Sequence, residues 1–285
     1  MPENSPCLSL PEKEKRLEEL LAGFGKVLVA FSGGVDSTFL LHRAVTLLGR
    51  DNVLAVTATS PIRPATESAA AGALAAELAA EHQFISTGEL SLEPFLENRS
   101  DRCYHCKKEL CRGLKAIAAV GTYRYIIDGA NHDDRFDYRP GAAAARACGI
   151  RSPLQEAALT KSEIRLLSRR DRLSTWNRPA ESCLATRFPY GERLERRQIE
   201  RVEKAESYLR TLGLEQELRV RTSGGCARIE AAPAEMALLW ERRREVVAYL
   251  REIGFLHTAL DLEGYSPGGM NRSLSPSPPK DPLKG

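Results

Sequence analysis

The sequence of 285 residues has no run of about 18 uninterrupted apolar residues, which argues against a membrane-spanning helix. Its opening, MPENSPCLSLPEKEKRLEE, lacks the basic-then-apolar order of a secretory signal, so a cytoplasmic protein is expected. Net charge is also scarce. Lys plus Arg number 41 against 38 Asp plus Glu, a formal +3, too small a bulk field to argue for a nucleic-acid partner. Any polyanion site must therefore be local. No internal repeat is present, and Pro, Ser and Gly are concentrated only in the closing SPGGMNRSLSPSPPKDPLKG, which predicts a disordered tail over 266–285. Elsewhere, 42% hydrophobic and 28% charged residues of both signs describe a globular chain, with room for one large domain or two ordinary ones. The seven cysteines (Cys7, Cys103, Cys106, Cys111, Cys148, Cys183 and Cys226) are odd in number, which fits reduced thiols better than a disulfide framework.

Residues 1–12 read as an arm. Leu17, Leu20, Leu21 and Phe24 then recur at helical spacing, and KVLVAF (26–31) is a short β-branched run suited to a buried parallel strand. Alternation continues with a strand at 52–57, an Ala-rich helix at 65–82, a strand at 84–86, a helix at 103–120 and a strand at 123–128. Such βα repeats predict an α/β parallel-sheet domain over 13–175, whose ligands bind at the carboxyl ends of the strands. After Pro153 the texture changes, with helices at 161–170 and 196–212, strands at 218–222 and 227–231, one long helix at 233–253 and a last strand at 256–262. The texture of 176–265 is that of a smaller α+β domain.

Ser32, Gly33, Gly34, Val35, Asp36 and Ser37 follow a strand and open a helix. Backbone N–H groups there can converge on an anion, with the glycines allowing close approach, so phosphate is the natural ligand. No Gly-Lys-Ser/Thr ends the loop and dinucleotide-type glycine spacing is missing, which excludes the Walker and Rossmann fingerprints. SGGVDS is instead similar to the PP-motif of the ATP pyrophosphatase superfamily. That likeness implies ATP cleavage between the α and β phosphates, with Mg²⁺ on the leaving group. Asp128, Gly129 and Asn131, in DGANHDD after the last strand of the series, are read as a second wall of the nucleotide site.

Cys183 lies in PAESCLATRFPYG, a polar, Pro-bracketed loop with Arg187 close by, where positive charge favours thiolate. A buried structural cysteine is the plain alternative. Together with SGGVDS, DRCYHCKK, GAN, SPL, TKSEIR and DLEGY, this loop resembles the LarE-type ATP-dependent sacrificial sulfur transferases, and the resemblance runs from Lys13 to about Asn271. It implies a PP-loop ATP pyrophosphatase domain followed by the smaller domain, and a role in making the nickel-pincer nucleotide cofactor. A carboxylate of a pyridinium dicarboxylate mononucleotide would be adenylated and captured as a thioester by Cys183, and Cβ–S cleavage would leave a thiocarboxylate and dehydroalanine. The small-molecule nucleotide is thus the implied partner, and family members assemble symmetrically, so a homo-oligomer is expected.

The substrate of that family carries a phosphate, for which Arg187, Arg219 and Arg221 are the candidate ligands. Arg219 and Arg221 alternate along one face of a strand, with Glu230 able to face them from the next. Asp36 and Glu230 are the carboxylates offered to metal. Where the family has an arginine after DLEGY, this sequence has Ser266. Cys103 and Cys106 form a CxxC without the second pair that a zinc ribbon needs. They read either as packed helix thiols or, with Cys183, as ligands of an iron–sulfur cluster, the less favoured reading. A tRNA-thiolating enzyme is the rival that shares the PP-motif and a CxxC, but it calls for a basic RNA-binding surface.

Overall fold

The first helix, α1 (Leu10–Phe24), begins inside the expected arm because Ser9 and Glu12 cap it reciprocally and Pro11 occupies its first turn. The computed structural model describes residues 8–136, 139–179, 182–214 and 216–266. Apart from Ser266, the expected disordered tail lies outside them. The chain divides into two units between residues 181 and 182.

In the first unit, β1 (Val27–Ala30), α2 (Val35–Leu48), β2 (Val53–Thr59), α3 (Ala65–Glu77) and β3 (Glu81–Ser86) wind outward as parallel βα units. After the short α4 (Glu93–Leu96) and the long α5 (Arg102–Val120), β4 (Tyr125–Asp128) returns to pair with the opposite edge of β1. The sheet order is therefore β3-β2-β1-β4. Successive side chains of β1 serve opposite faces. Val27 and Val29 join Leu17, Leu21, Phe39 and Leu40, while Leu28 joins Leu54, Val56, Leu114 and Ile126. At about 1.5–3 kcal/mol per buried aliphatic side chain, the two cores explain why a central strand of four residues suffices. Connections leave β1 toward β2 on one side and arrive from α5 at β4 on the other. The crevice between the loops after β1 and β4 is thus a topological switch point, where α/β sheets receive ligands. Three further helices, α6 (Pro140–Ala147), α7 (Pro153–Glu156) and α8 (Lys161–Arg170), complete the unit. Residues 176–179, assigned to the smaller domain by sequence, are tied into this first unit. Arg165 donates to the carbonyls of Trp176 and Arg178, and Arg178 to that of Gly33.

Two boundaries differ from expectation for identifiable reasons. The Ala-rich helix stops at Glu77, since Ala79 turns to φ 53° and His82 is drawn into β3 opposite Ala55. Alanine carries no stop signal, so only strand pairing could set this end. In the second unit, the single helix expected at 233–253 is broken at Arg242 into α10 (Met236–Glu241) and α11 (Arg243–Glu252). These follow α9 (Arg196–Thr211) and an antiparallel hairpin of β5 (Arg219–Ser223) and β6 (Cys226–Glu230). Gly224 and Gly225 turn the hairpin with φ of 56° and 79°, the left-handed pair a two-residue turn of this kind demands. β7 (His257–Leu260) adds in parallel to β6. No described helix is long and apolar enough to cross a membrane.

Candidate functional site

In the first unit the site begins where β1 ends. Gly33 adopts φ 75°, and a Cβ there would stand 3.3 Å from Ala71, so the turn accepts only glycine without rearrangement. Ser37 Oγ donates to the Gly34 carbonyl at 3.1 Å and lies 3.0 Å from Ser32 Oγ. The loop is thereby closed on its own hydroxyls, leaving the first-turn amides of α2 pointing along the helix axis toward the crevice.

The loop after β4 packs directly on this turn. A Cβ on Gly129 would fall 2.8 Å from Ser37 N and 3.0 Å from Ser37 Cα, both backbone atoms that cannot swing aside. We expect Gly129→Ala to push the start of α2 out of place at a cost on the order of 1–3 kcal/mol. Calorimetric ATP binding should weaken roughly tenfold or more, and an unchanged affinity would show that the contact is not needed.

Charged groups from distant segments meet at the same place. Lys161, in the first turn of α8, reaches Asp36 Oδ2 at 2.7 Å, and its amide bonds Asp133. Asn131 donates to the same Asp36 oxygen at 3.4 Å and accepts from the amides of Asp133 and Asp134. Asp36 Oδ1 is buried without a hydrogen-bond partner among the described residues. A leftover carboxylate oxygen beside an anion-binding turn suits a hard cation. Asp128 is held by Lys107 at 2.9 Å, by Ser152 Oγ at 2.7 Å and by the Ala130 amide. Burial alone would raise its pKa, but Lys107 and the two hydrogen bonds outweigh that and hold the carboxyl below the usual aspartate range.

The second unit carries the cysteine loop, of which Ala180 and Glu181 lie outside the described residues. Cys183 is half-buried at the head of a 3₁₀ turn, and its carbonyl accepts from the Thr186 hydroxyl and amide and from Arg187. Arg187 is buried and has all three nitrogens engaged within the protein. Nε and Nη2 grip both oxygens of buried Glu206 at 2.8 and 3.0 Å, while Nη1 reaches Ser182, Cys183 and Thr186. Although burial opposes its ionisation, Glu206 is held below the usual glutamate range by Arg187 and the Val220 amide.

Arg221 bonds both oxygens of Glu230 at 3.0 Å and donates to the Thr186 carbonyl at 2.6 Å, linking β5 to the cysteine loop. Glu230 also receives Arg228, so the carboxylate expected at a metal is occupied by two guanidiniums. Arg219 is buried over the Tyr265 ring at 5.1 Å, and burial, with Arg187 nearby, lowers its pKa. The DLEGY string supports this stack. Gly264 at φ 71° would put a Cβ 2.7 Å from the Ala231 carbonyl, and Asp261 pairs with Arg228 at 3.3 Å. Five arginines (Arg187, Arg210, Arg219, Arg221 and Arg228) are thus gathered around three carboxylates (Glu206, Glu230 and Asp261), an arrangement with positive excess. Ser266, next in the chain, adds no charge to it.

Cys103 is exposed, and Cys106 is half-buried with its thiol 3.6 Å from Glu89. Among the described residues no group of three or more His, Cys, Asp or Glu side chains could hold a metal ion. Lys107, Ser152 and Lys161 were given no role by the sequence reading. One signal was available: a lysine in a helix's first turn opposes the helix dipole and needs another reason to be there.

Residues 13–113 match the family described as NAD synthase. The chain is 42% identical over 267 residues to an uncharacterized protein of Synechocystis, covering 92% of this chain and 99% of that one. It is 39% identical over 267 residues to the pyridinium-3,5-bisthiocarboxylic acid mononucleotide synthase of Lactiplantibacillus plantarum, covering 94% and 96% of the two chains. An uncharacterized protein of Methanocaldococcus jannaschii is 25% identical over 240 residues, 84% of this chain and 90% of its own.

Proposed function

The chain belongs to the LarE-type family of PP-loop sulfur transferases, and from that premise we propose that it converts a carboxylate of a pyridinium dicarboxylate mononucleotide into a thiocarboxylate with sulfur from Cys183. The observation that carries this reading is the Cys183 loop, a half-buried thiol whose backbone is pinned by a buried Arg187–Glu206 pair beside Arg219 and Arg221.

A carboxylate resists nucleophiles because its carbon is electron-rich and oxide is a poor leaving group. Transfer of AMP from ATP supplies the leaving group and releases pyrophosphate. Residues 32–37 and the amides opening α2 would cradle the phosphates, with Gly129 and Asn131 as the facing wall. Asp36, through its unpartnered oxygen, would hold Mg²⁺, which supplies charge neutralisation on the departing pyrophosphate. Lys161 and Lys107 would then offer cationic charge to the same polyphosphate. The Cys183 thiolate displaces AMP to give a thioester. A base removes the Cys183 Cα proton, the Cβ–S bond breaks toward sulfur, and the products are a thiocarboxylate and residue 183 as dehydroalanine.

Arg187 acts in this scheme by positioning the loop, and Arg219 and Arg221 by receiving the substrate phosphate. Each charge-assisted phosphate contact is worth about 1.5–3 kcal/mol, so Arg219→Ala or Arg221→Ala should weaken nucleotide-substrate binding roughly tenfold or more while ATP affinity holds. If neither changes substrate affinity, the phosphate is bound elsewhere.

The reading is tested by the products of ATP cleavage. Incubation with ATP, Mg²⁺ and the dicarboxylate mononucleotide should release AMP and pyrophosphate, and Asp36→Ala should suppress this. Release of ADP and phosphate would overturn the assignment.

A further inference from the structure

Asp36 carries an ammonium group on one oxygen and nothing on the other, and the two features bear on each other. Lys161 Nζ lies 2.7 Å from Asp36 Oδ2, the oxygen that also receives Asn131, while Oδ1 is buried with no hydrogen-bond partner among the described residues. Both backbones are fixed. Asp36 sits in the first turn of α2. Lys161 opens α8, where Thr160 and Glu163 cap each other, Lys13 clasps Glu163 at 2.8 Å and the Lys161 amide bonds Asp133 at 2.8 Å. What can move is the four-carbon stem of Lys161, which ends in a compact charge. Two neighbouring carboxylates are already held: Asp134 by Arg139 at 2.8 Å and by the Asn131 amide, and Asp128 by Lys107 and Ser152. Of these three carboxylates, only Asp36 keeps a buried oxygen without a partner among the described residues.

We propose that Lys161 is an internal counter-cation that makes divalent-cation binding at Asp36 conditional on nucleotide. The inference rests on the reading of Asp36 as the cation ligand. With the ammonium on Oδ2 the carboxylate is already neutralised, and a dication at Oδ1 meets like charge at close range in a half-buried setting that water screens poorly. A polyphosphate in the turn of residues 32–37 offers the ammonium a more highly charged partner, and the stem swings to it without backbone movement. Asp36 then regains its full charge when the phosphates are in place to share a cation with it. Lys161 therefore opposes the cation alone and favours the cation with nucleotide. A lysine that merely braced α8 against α2 would not change sign in this way.

Cation binding to the full-length protein is read from the paramagnetic resonance of free Mn²⁺, first with Mn²⁺ alone and then with α,β-methylene ATP, which cannot be cleaved between those phosphates. Lys161→Met keeps the stem and removes the charge, so it should bind Mn²⁺ alone about tenfold or more tightly than the parent. With the analogue present the order should invert, and the variant should bind Mn²⁺ and analogue together roughly tenfold more weakly. Lys161→Arg, which keeps the charge, should stay near the parent with Mn²⁺ alone. Lys161→Met with no gain for Mn²⁺ alone, or a gain that survives in the Asp36→Asn Lys161→Met double variant, would overturn the proposal. Asp36→Asn by itself separates the two levels. Unchanged Mn²⁺ affinity with the analogue would take the cation away from Asp36 and remove the underlying reading, whereas a loss there with no gain in Lys161→Met sinks the counter-cation alone.

Discussion

Cys183→Ala should abolish thiocarboxylate formation, a loss on the order of 10³-fold or more as expected for removing a nucleophile, while AMP and pyrophosphate are still released. The split follows from which atoms do what. In the proposed scheme, adenylation uses the loop at residues 32–37 of the first unit, and only the later displacement needs the thiol. The variant should also melt within about 0.5 kcal/mol of the parent, because the bonds that hold residue 183 run through its carbonyl to Thr186 and Arg187. In the parent after turnover without added sulfide, peptide mapping should find dehydroalanine at position 183, with Cys103 and Cys106 unchanged. An intact Cys183 after repeated turnover, with an iron–sulfur chromophore in protein purified without oxygen, would replace this scheme by a recycling one.

Arg187→Ala is expected to destabilise the second unit by about 3–5 kcal/mol, since it strips the buried Glu206 of its bidentate partner and leaves it the Val220 amide and Arg210 at 3.8 Å. Glu206→Gln should cost a comparable amount by stranding the guanidinium. Converting both to apolar residues of similar volume should restore much of the loss, which separates stability from function because the Cys183 loop would still lack its anchor. The pair also sets an acid limit. Glu206 has its folded pKa below the ordinary value of 4.5, so its contribution is complete above that value and is lost as pH falls through the lower folded one. Circular-dichroism melts against pH should therefore show a steeper acid decline in the parent than in the double apolar variant. Equal slopes would remove Glu206 from the account.

What could be read in advance was whatever is local. The βα alternation was visible because a buried parallel strand must be β-branched and short, and a covering helix must repeat every third or fourth residue. The turn and helix start at residues 32–37 were readable for the same reason, since both lie within six consecutive residues. Asp36 and Lys161 are 125 residues apart, and nothing in either neighbourhood announces the other. The pairing of Arg187 with Glu206 was hidden because a buried carboxylate on an otherwise charged helix looks like a solvated one. Glu206 sits among Arg201, Glu203, Lys204 and Arg210, and only the packing of β5 against α9 reveals that it faces inward.

On the proposed reaction, the same carbonyl-borne anchorage bears on the fate of the protein once its sulfur is spent. A loop shaped around the sulfur atom would collapse when that atom departs. This one is fastened through main-chain oxygen, which dehydroalanine retains, so exhausted molecules should keep the parent's fold and its affinity for nucleotide. They would then accumulate as competitors that sequester substrate from fresh copies. The yield of the process would be limited by clearance of worn-out polypeptide as much as by its synthesis.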